Sequence, residues 1–226
     1  MRDPQGERVS WFYHFSVFCV RWLLRLLSRH RVVGLELVPP SGPLLVVANH
    51  QNNADPCIVV GIMPRVIHMM AKVELFHDVV GWMARGIGAF PVRRGRADRQ
   101  AIEAALRYLE ADSCVGIFPE GTRSRTGGLS RAHSGAGFLA LKSDVDILPI
   151  GIVGTSALRD TRSVLRRPSI EIRIGQPFRL PPGADGARLS AAEATDLIMQ
   201  RIADLLPAEL RGSYAAPGAA APSTTR

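Results

Sequence analysis

Hydrophobic and polar positions change period several times along the chain. From Ser10 to Arg29 they follow a helix. At about 100° per residue, Ser10, His14, Arg21, Arg25 and Ser28 share one sector, Phe15, Trp22 and Leu26 lie outside it, Trp11 and Arg29 coincide at its border, and Phe18 intrudes on the polar edge. Aromatics beside arginines suit a bilayer interface, so this segment is expected to be an amphipathic membrane-associating helix. The alternative is a helix packed on the domain with its polar face in water. From Val32 onward short β-rich runs alternate with helical ones. The runs Leu44 to Ala48, Val66 to Ala71, Ala89 to Val92, Cys114 to Phe118, Ile147 to Val153 and Ile170 to Ile174 read as strands. Between them, Ile58 to Met63, Leu75 to Met83, Asp98 to Glu110 and Gly135 to Lys142 read as helices, with Asp98 as an N-cap. Ser190-Ala191-Ala192-Glu193 is a capping-box match that opens a last helix to about Leu206, before Pro207.

Strands alternating with helices predict an α/β fold, a mixed sheet flanked by helices. The expected organisation is an N-terminal membrane-associating segment over 1–31, one catalytic-sized domain over 32–211, and a disordered tail over 212–226, where Ala, Pro, Ser and Thr cannot support a core. No stretch of about 18 apolar residues is present, which argues against a membrane span. The formal net charge of +8 is almost all arginine, because Lys72 and Lys142 are the only lysines. Arginine holds phosphate bidentately, so the expected partners are anionic. Cys19, Cys57 and Cys114 are odd in number and never in a Cys-x-x-Cys pair, which points to reduced thiols rather than disulfides or zinc.

Two loops carry candidate chemistry. Asn49-His50-Gln51-Asn52-Asn53-Ala54-Asp55 follows the first apolar strand. A histidine there, with an acid able to fix its tautomer, makes a general base at neutral pH. Asp55 before Pro56 also matches a helix N-cap, and both roles can coexist. After the strand at Cys114, Phe118-Pro119-Glu120-Gly121-Thr122-Arg123-Ser124 offers a glycine turn with a charged fork. Between them, Phe90-Pro91-Val92-Arg93-Arg94 ends a strand in two arginines. Other patterns carry less. Gly135-Ala136-Gly137-Phe138-Leu139-Ala140 matches a dinucleotide-binding glycine pattern, but no strand precedes it. His68, Glu74, His77 and Asp78 lack metal-ligand spacing, so no metal is expected.

Asn-His-x4-Asp, Phe-Pro-Val-x-Arg, Phe-Pro-Glu-Gly-Thr-Arg-Ser and Leu148-Pro149-Ile150, in that order, resemble the four motifs of the glycerolipid acyltransferases typified by 1-acyl-glycerol-3-phosphate acyltransferase. The resemblance implies acyl transfer from acyl-CoA or acyl-ACP (acyl carrier protein) to the free hydroxyl of a lysophospholipid, forming phosphatidic acid, with no cofactor and no covalent enzyme intermediate. It implies His50 as general base and Asp55 as its orienting partner. Arg94, Glu120, Gly121, Thr122 and Arg123 would form the acceptor-phosphate site. Pro149 belongs to the last motif, associated with the acyl or acceptor pocket. Lys72 and the Gly121 N–H are candidates for the oxyanion. Two departures bear on the acceptor: Arg93 stands where many members have an acid, and His133 where many have lysine. The expected setting is peripheral, on the cytoplasmic face of the membrane. Alternatives are a related O-acyltransferase with another lyso-lipid or glycolipid acceptor, and a non-catalytic anionic-lipid binding module. Nucleic acid is not expected, because no aromatics interleave the arginine loops.

Overall fold

A computed structural model describes residues 11–77, 79–93, 98–124, 127–159, 161–183 and 187–215. The uninterrupted apolar run Leu44–Ala48 forms strand β2, and all five of its side chains are buried. A strand apolar on both sides needs cover on both faces, which places it inside a parallel sheet. The other strands are β1 (Arg29–Val33), β3 (Ile67–Lys72), β4 (Phe90–Val92), β5 (Cys114–Ile117), β6 (Asp146–Val153) and β7 (Ser169–Ile174). They build one seven-stranded sheet in the order β1-β7-β6-β2-β5-β3-β4. Every neighbouring pair is parallel except β6 with β7, so the sheet is mixed, as expected.

The helices are α1 (Trp11–Leu27), α2 (Asp55–Ile62), α3 (Val79–Gly86), α4 (Arg99–Glu110), α5 (Gly135–Ser143), α6 (Thr161–Leu165) and α7 (Ala191–Asp204). Alternate side chains of β2 divide the core. Leu44, Val46 and Ala48 join Tyr13 and Val17 of α1 and Ile58, Val59 and Val60 of α2 on one face. Leu45 and Val47 join Ala105 and Leu109 of α4, Leu139 of α5 and Ile198 and Ile202 of α7 on the other. The Asp98 cap and the Ser190–Glu193 capping box form as the sequence predicts.

Four expectations change. Arg29 is not helical: α1 stops at Leu27 and Arg29–Val33 is an edge strand, so the sheet takes in residues assigned to the N-terminal segment. The helix expected from Leu75 to Met83 is instead a 3-10 turn, Val73–Phe76, followed by α3. The short α6 was not anticipated. Residues 212–214, expected to start the disordered tail, are a 3-10 turn against Leu129, with the Tyr214 hydroxyl accepting from Ala132 N–H; residues 216–226 lie outside the described residues.

α1 departs from its helical-wheel reading most. Part of its polar sector turns inward: Arg21 donates to Gly61 O (2.7 Å) and Met63 O (3.2 Å), capping the C-terminus of α2, and Ser28 is buried. Tyr13 and Val17 are buried, and the Tyr13 hydroxyl accepts from Ile67 N–H. Gly61 lets the two helices approach, since a Cβ there would lie 2.8 Å from Val20. The aromatic arc faces outward, with Trp11 75%, Phe18 62% and Trp22 57% exposed. The helix therefore has two apolar arcs, one in the core and one uncovered. No helix among the described residues is long and apolar enough to cross a membrane.

Candidate active site

The site grows from the C-terminal end of β2, where the strand stops and side chains take over the backbone's hydrogen bonds. Asn49 extends the ladder with its amide: Nδ2 donates to Ile152 O (2.8 Å) and Oδ1 accepts from Ile152 N–H (2.6 Å). This pins the chain to β6 one residue before His50. The backbone of His50 is then held on both sides by the loop after β5. His50 N–H donates to Glu120 Oε1 (2.9 Å), and His50 O accepts from Ser124 N–H (2.7 Å). Its ring stacks on Phe118 with centroids 4.3 Å apart and 23° between planes, and the residue is only 3% exposed.

Asp55 completes the arrangement from the first residue of α2, one position later than the N-cap expected of it, since Ala54 caps the helix. Its Oδ2 lies 2.9 Å from His50 Nδ1 and also accepts from the N–H groups of Gln51 and Asn52, both at 2.6 Å. A carboxylate only accepts, so the network assigns the imidazole proton to Nδ1 and the lone pair to Nε2. Asp55 Oδ1 is buried with no hydrogen-bond partner among the described residues. All of the acid's work is done by the oxygen that faces the imidazole and the turn.

The structure separates the remaining predicted residues. Glu120 is 1% exposed and both its oxygens are spent on backbone, Oε1 on His50 and Oε2 on Ser130 N–H (2.9 Å). It braces the loops and offers no oxygen to a ligand, contrary to the phosphate-site expectation. Burial raises its carboxyl above the usual glutamate value, against the opposing hydrogen bonds from Ser130 and His50. Gly121 has φ +66°, and a Cβ there would sit 2.8 Å from His133 Cδ2, so glycine is required. Its N–H is committed to Phe118 O and is not an oxyanion donor. Thr122 and Arg123 are exposed, and the Arg123 side chain has no partner among the described residues. Arg123 directly precedes Ser124, the residue bonded to His50 O, so its backbone adjoins the segment that holds the histidine.

Lys72, a candidate oxyanion donor, instead pairs with Glu74 at 3.2 Å, and both are about half exposed at the end of β3, two strands from β2. Arg93 N–H donates to Asp98, and its guanidinium reaches Gln100 at the start of α4. Arg94 lies outside the described residues. Pro149 is buried inside β6, opposite Val47, packed toward Gly175 and Leu205 on the α7 face. The His50 ring lies on the other face with Phe118, so Pro149 and the imidazole sit on opposite faces of the sheet. Among the described residues, no group of three or more His, Cys, Asp or Glu side chains is placed to hold a metal.

Sequence reasoning missed the Asn49 amide clamp, the Phe118 stack and the Ser124 strap. Each residue lies inside one of the two loop motifs, where its type fits turn chemistry as well as a contact to the other loop or to β6.

Known proteins resemble this chain in sequence and in fold. Residues 29–153 match the family model described as Acyltransferase, a span that runs from β1 to the end of β6 and includes both loops. A 1-acyl-sn-glycerol-3-phosphate acyltransferase of Bacillus subtilis is 30% identical over 200 residues, covering 85% of this chain and 96% of that protein. The human 1-acyl-sn-glycerol-3-phosphate acyltransferase alpha is 35% identical over 126 residues, 54% of this chain and 44% of the human protein. The crystal structure of the 1-acyl-sn-glycerophosphate acyltransferase PlsC from Thermotoga maritima superposes with a TM-score of 0.64 at 25% identity, covering 85% of this chain and 80% of that one. With a matched model over more than half its length and a relative that it spans almost end to end, this chain belongs to the acyltransferase family of the 1-acyl-sn-glycerol-3-phosphate acyltransferases.

Proposed function

We propose that the chain transfers a fatty acyl group from a thioester, acyl-CoA or acyl-ACP, to the free hydroxyl of 1-acyl-glycerol-3-phosphate, forming phosphatidic acid in phospholipid synthesis at the cytoplasmic face of a membrane. The observation that carries it is the His50 ring, pinned through Nδ1 to Asp55 at 2.9 Å with Nε2 left as the base. In this reading Nε2 takes the proton as the acceptor oxygen attacks the thioester carbonyl. The C–S bond breaks on collapse, and the imidazolium returns the proton to the departing thiolate. Asp55 stabilises the imidazolium and keeps the ring in register without taking the proton itself.

The acceptor phosphate is assigned to Arg123, whose guanidinium has no protein partner among the described residues, together with the N–H groups of Thr122 and Arg123, which donate to no described residue. Arg94 is proposed to join them. Glu120 orders this loop from beneath rather than touching the anion. The outward aromatic arc of α1 supports a peripheral membrane setting.

The test is free-thiol release from acyl-CoA or acyl-ACP with and without lysophosphatidate, followed by mass analysis of the lipid. Thiol release should require the acceptor and yield phosphatidic acid. His50→Ala should lower turnover by about 10²–10⁴-fold, the usual contribution of a positioned base, with the melting temperature retained. Unchanged turnover in that variant would end the reading.

A further inference from the structure

The register of the sheet places a basic and apolar rim at the edge that carries His50. Across the strands, Asn49 meets Ile152, Ile152 pairs with Ile172, and Ile172 pairs with Val32. Because β6 and β7 are antiparallel, the start of β1 points the same way as the end of β2. Arg31 and Arg29 therefore lie beyond that level on the His50 edge, three strand spacings or about 14 Å across the sheet. The last turn of α1 and the segment 165–168 arrive at the same corner. Arg167, at φ +52°, donates to Arg25 O (2.7 Å) and Ser28 O (3.3 Å), closing the C-terminus of α1, while Arg29 donates to Pro168 O and Arg167 O.

This clip brings together Arg25, Arg29, Arg31, Arg166 and Arg167, all exposed, with an apolar residue beside them. Leu165 is 81% exposed, the highest of the exposed large hydrophobic side chains in the described residues, and Trp22 and Leu26 of the α1 outer arc stand 57% and 51% exposed. The acid nearest in register, Glu171, is held by Arg173 at 3.1 Å. Arginine density alone would suit any polyanion. An uncovered leucine between arginines, continuous with an aromatic helix face, suits a surface with phosphates outside and hydrocarbon beneath.

We propose that α6 and the Leu165-Arg166 knuckle, clipped by Arg167 to the end of α1, form a second contact with an anionic bilayer. The His50 edge of the sheet then faces the leaflet from which a phosphorylated lipid acceptor arrives. The identity of that acceptor rests on the acyl-transfer reading; the docking does not. The experiment uses the full chain with vesicles of phosphatidylcholine alone and of phosphatidylcholine mixed with phosphatidylglycerol. Wild-type protein should partition more strongly to the mixed vesicles, less so at high salt. Leu165→Ser with Arg166→Glu should weaken that partition by about tenfold, since each basic residue near an anionic surface contributes several-fold. Turnover on lysophosphatidate in detergent micelles should stay at the wild-type level.

Equal partition of variant and wild type, or no preference of the wild type for anionic vesicles, would overturn the proposal. So would loss of self-association in the variant with vesicle binding intact, which would make this corner a contact between copies. Absent turnover in wild-type micelles would sink the acyl-transfer reading and leave the vesicle result standing.

Discussion

A carboxylate that accepts from two backbone N–H groups is a strut, and Glu120 is the strut on which His50 rests. Replacing it by glutamine keeps the shape but must turn an NH2 group toward either His50 N–H or Ser130 N–H, donor against donor. Leaving such a buried pair unsatisfied costs about 1–3 kcal/mol, which the loop relieves by shifting. In the proposed mechanism, displacing His50 by a fraction of an ångström affects the chemical step and leaves acceptor binding alone. Glu120→Gln is therefore expected to lower kcat by roughly 10²-fold with the acceptor KM nearly unchanged. Arg123→Ala serves as the contrast, raising the acceptor KM more than the thioester KM. Steady-state kinetics with each substrate varied separately distinguishes the two, and an acceptor KM raised in Glu120→Gln would return Glu120 to the phosphate site. The sequence made His50, Asp55 and Arg123 visible because each lies in the short polar stretch that follows an apolar strand. It could not show that Glu120 points inward, because a carboxylate in an anion loop and a carboxylate under it look alike until the backbone donors are placed.

The elements that the sequence revealed were those with local reasons to exist. β2 and β5 are short apolar runs, α4 is opened by the Asp98 cap, and α7 by a reciprocal capping box in which Ser190 accepts from Glu193 N–H and Glu193 accepts from Ser190 N–H. β1 was invisible for the opposite reason. Arg29-His30-Arg31-Val32-Val33 owes its extended form to pairing with β7, whose partner residues lie about 140 positions away, and alternate side chains of this edge strand face water. α1 was recognised as a helix, but its period does not say which of two apolar arcs the domain covers. The cap of α7 can be weighed directly. Ser190→Ala should cost about 1 kcal/mol of unfolding free energy in denaturant titrations near neutral pH. The Ser190 hydrogen bonds hold the Glu193 carboxyl below the usual glutamate value. Its share of the cap is thus fully present above the ordinary glutamate range and fades as pH falls through the lower folded value. The gap between variant and wild type should narrow in acid; a gap that widens would exclude the reciprocal box.

At the scale of the whole molecule, one helix closes the core and, in the proposed membrane setting, also meets a lipid surface. Tyr13 and Val17 of α1 are buried against the sheet, and Arg21 satisfies the carbonyls at the end of α2. Two buried side chains of this size contribute on the order of 4 kcal/mol together, a large share of the roughly 5–15 kcal/mol by which a domain is stable. A detachable anchor would contribute nothing to the fold. The outer arc of the same helix, with Trp11, Phe18 and Trp22, is left exposed, and the clip at Arg167 ties its end to the edge of the sheet that bears His50. In the proposed setting, the orientation of His50 relative to the membrane is then set by core packing rather than by a linker. A chain beginning at Ser28 should then melt about 8–16 °C lower in a thermal scan, the shift that such a loss produces in a domain of this size. It should also lose turnover in detergent micelles, where no bilayer is available to be missed. If the shortened chain kept its melting temperature and its micellar turnover and lost only vesicle binding, α1 would be an accessory anchor, and the fixed geometry between base and bilayer would have to come from elsewhere in the sheet.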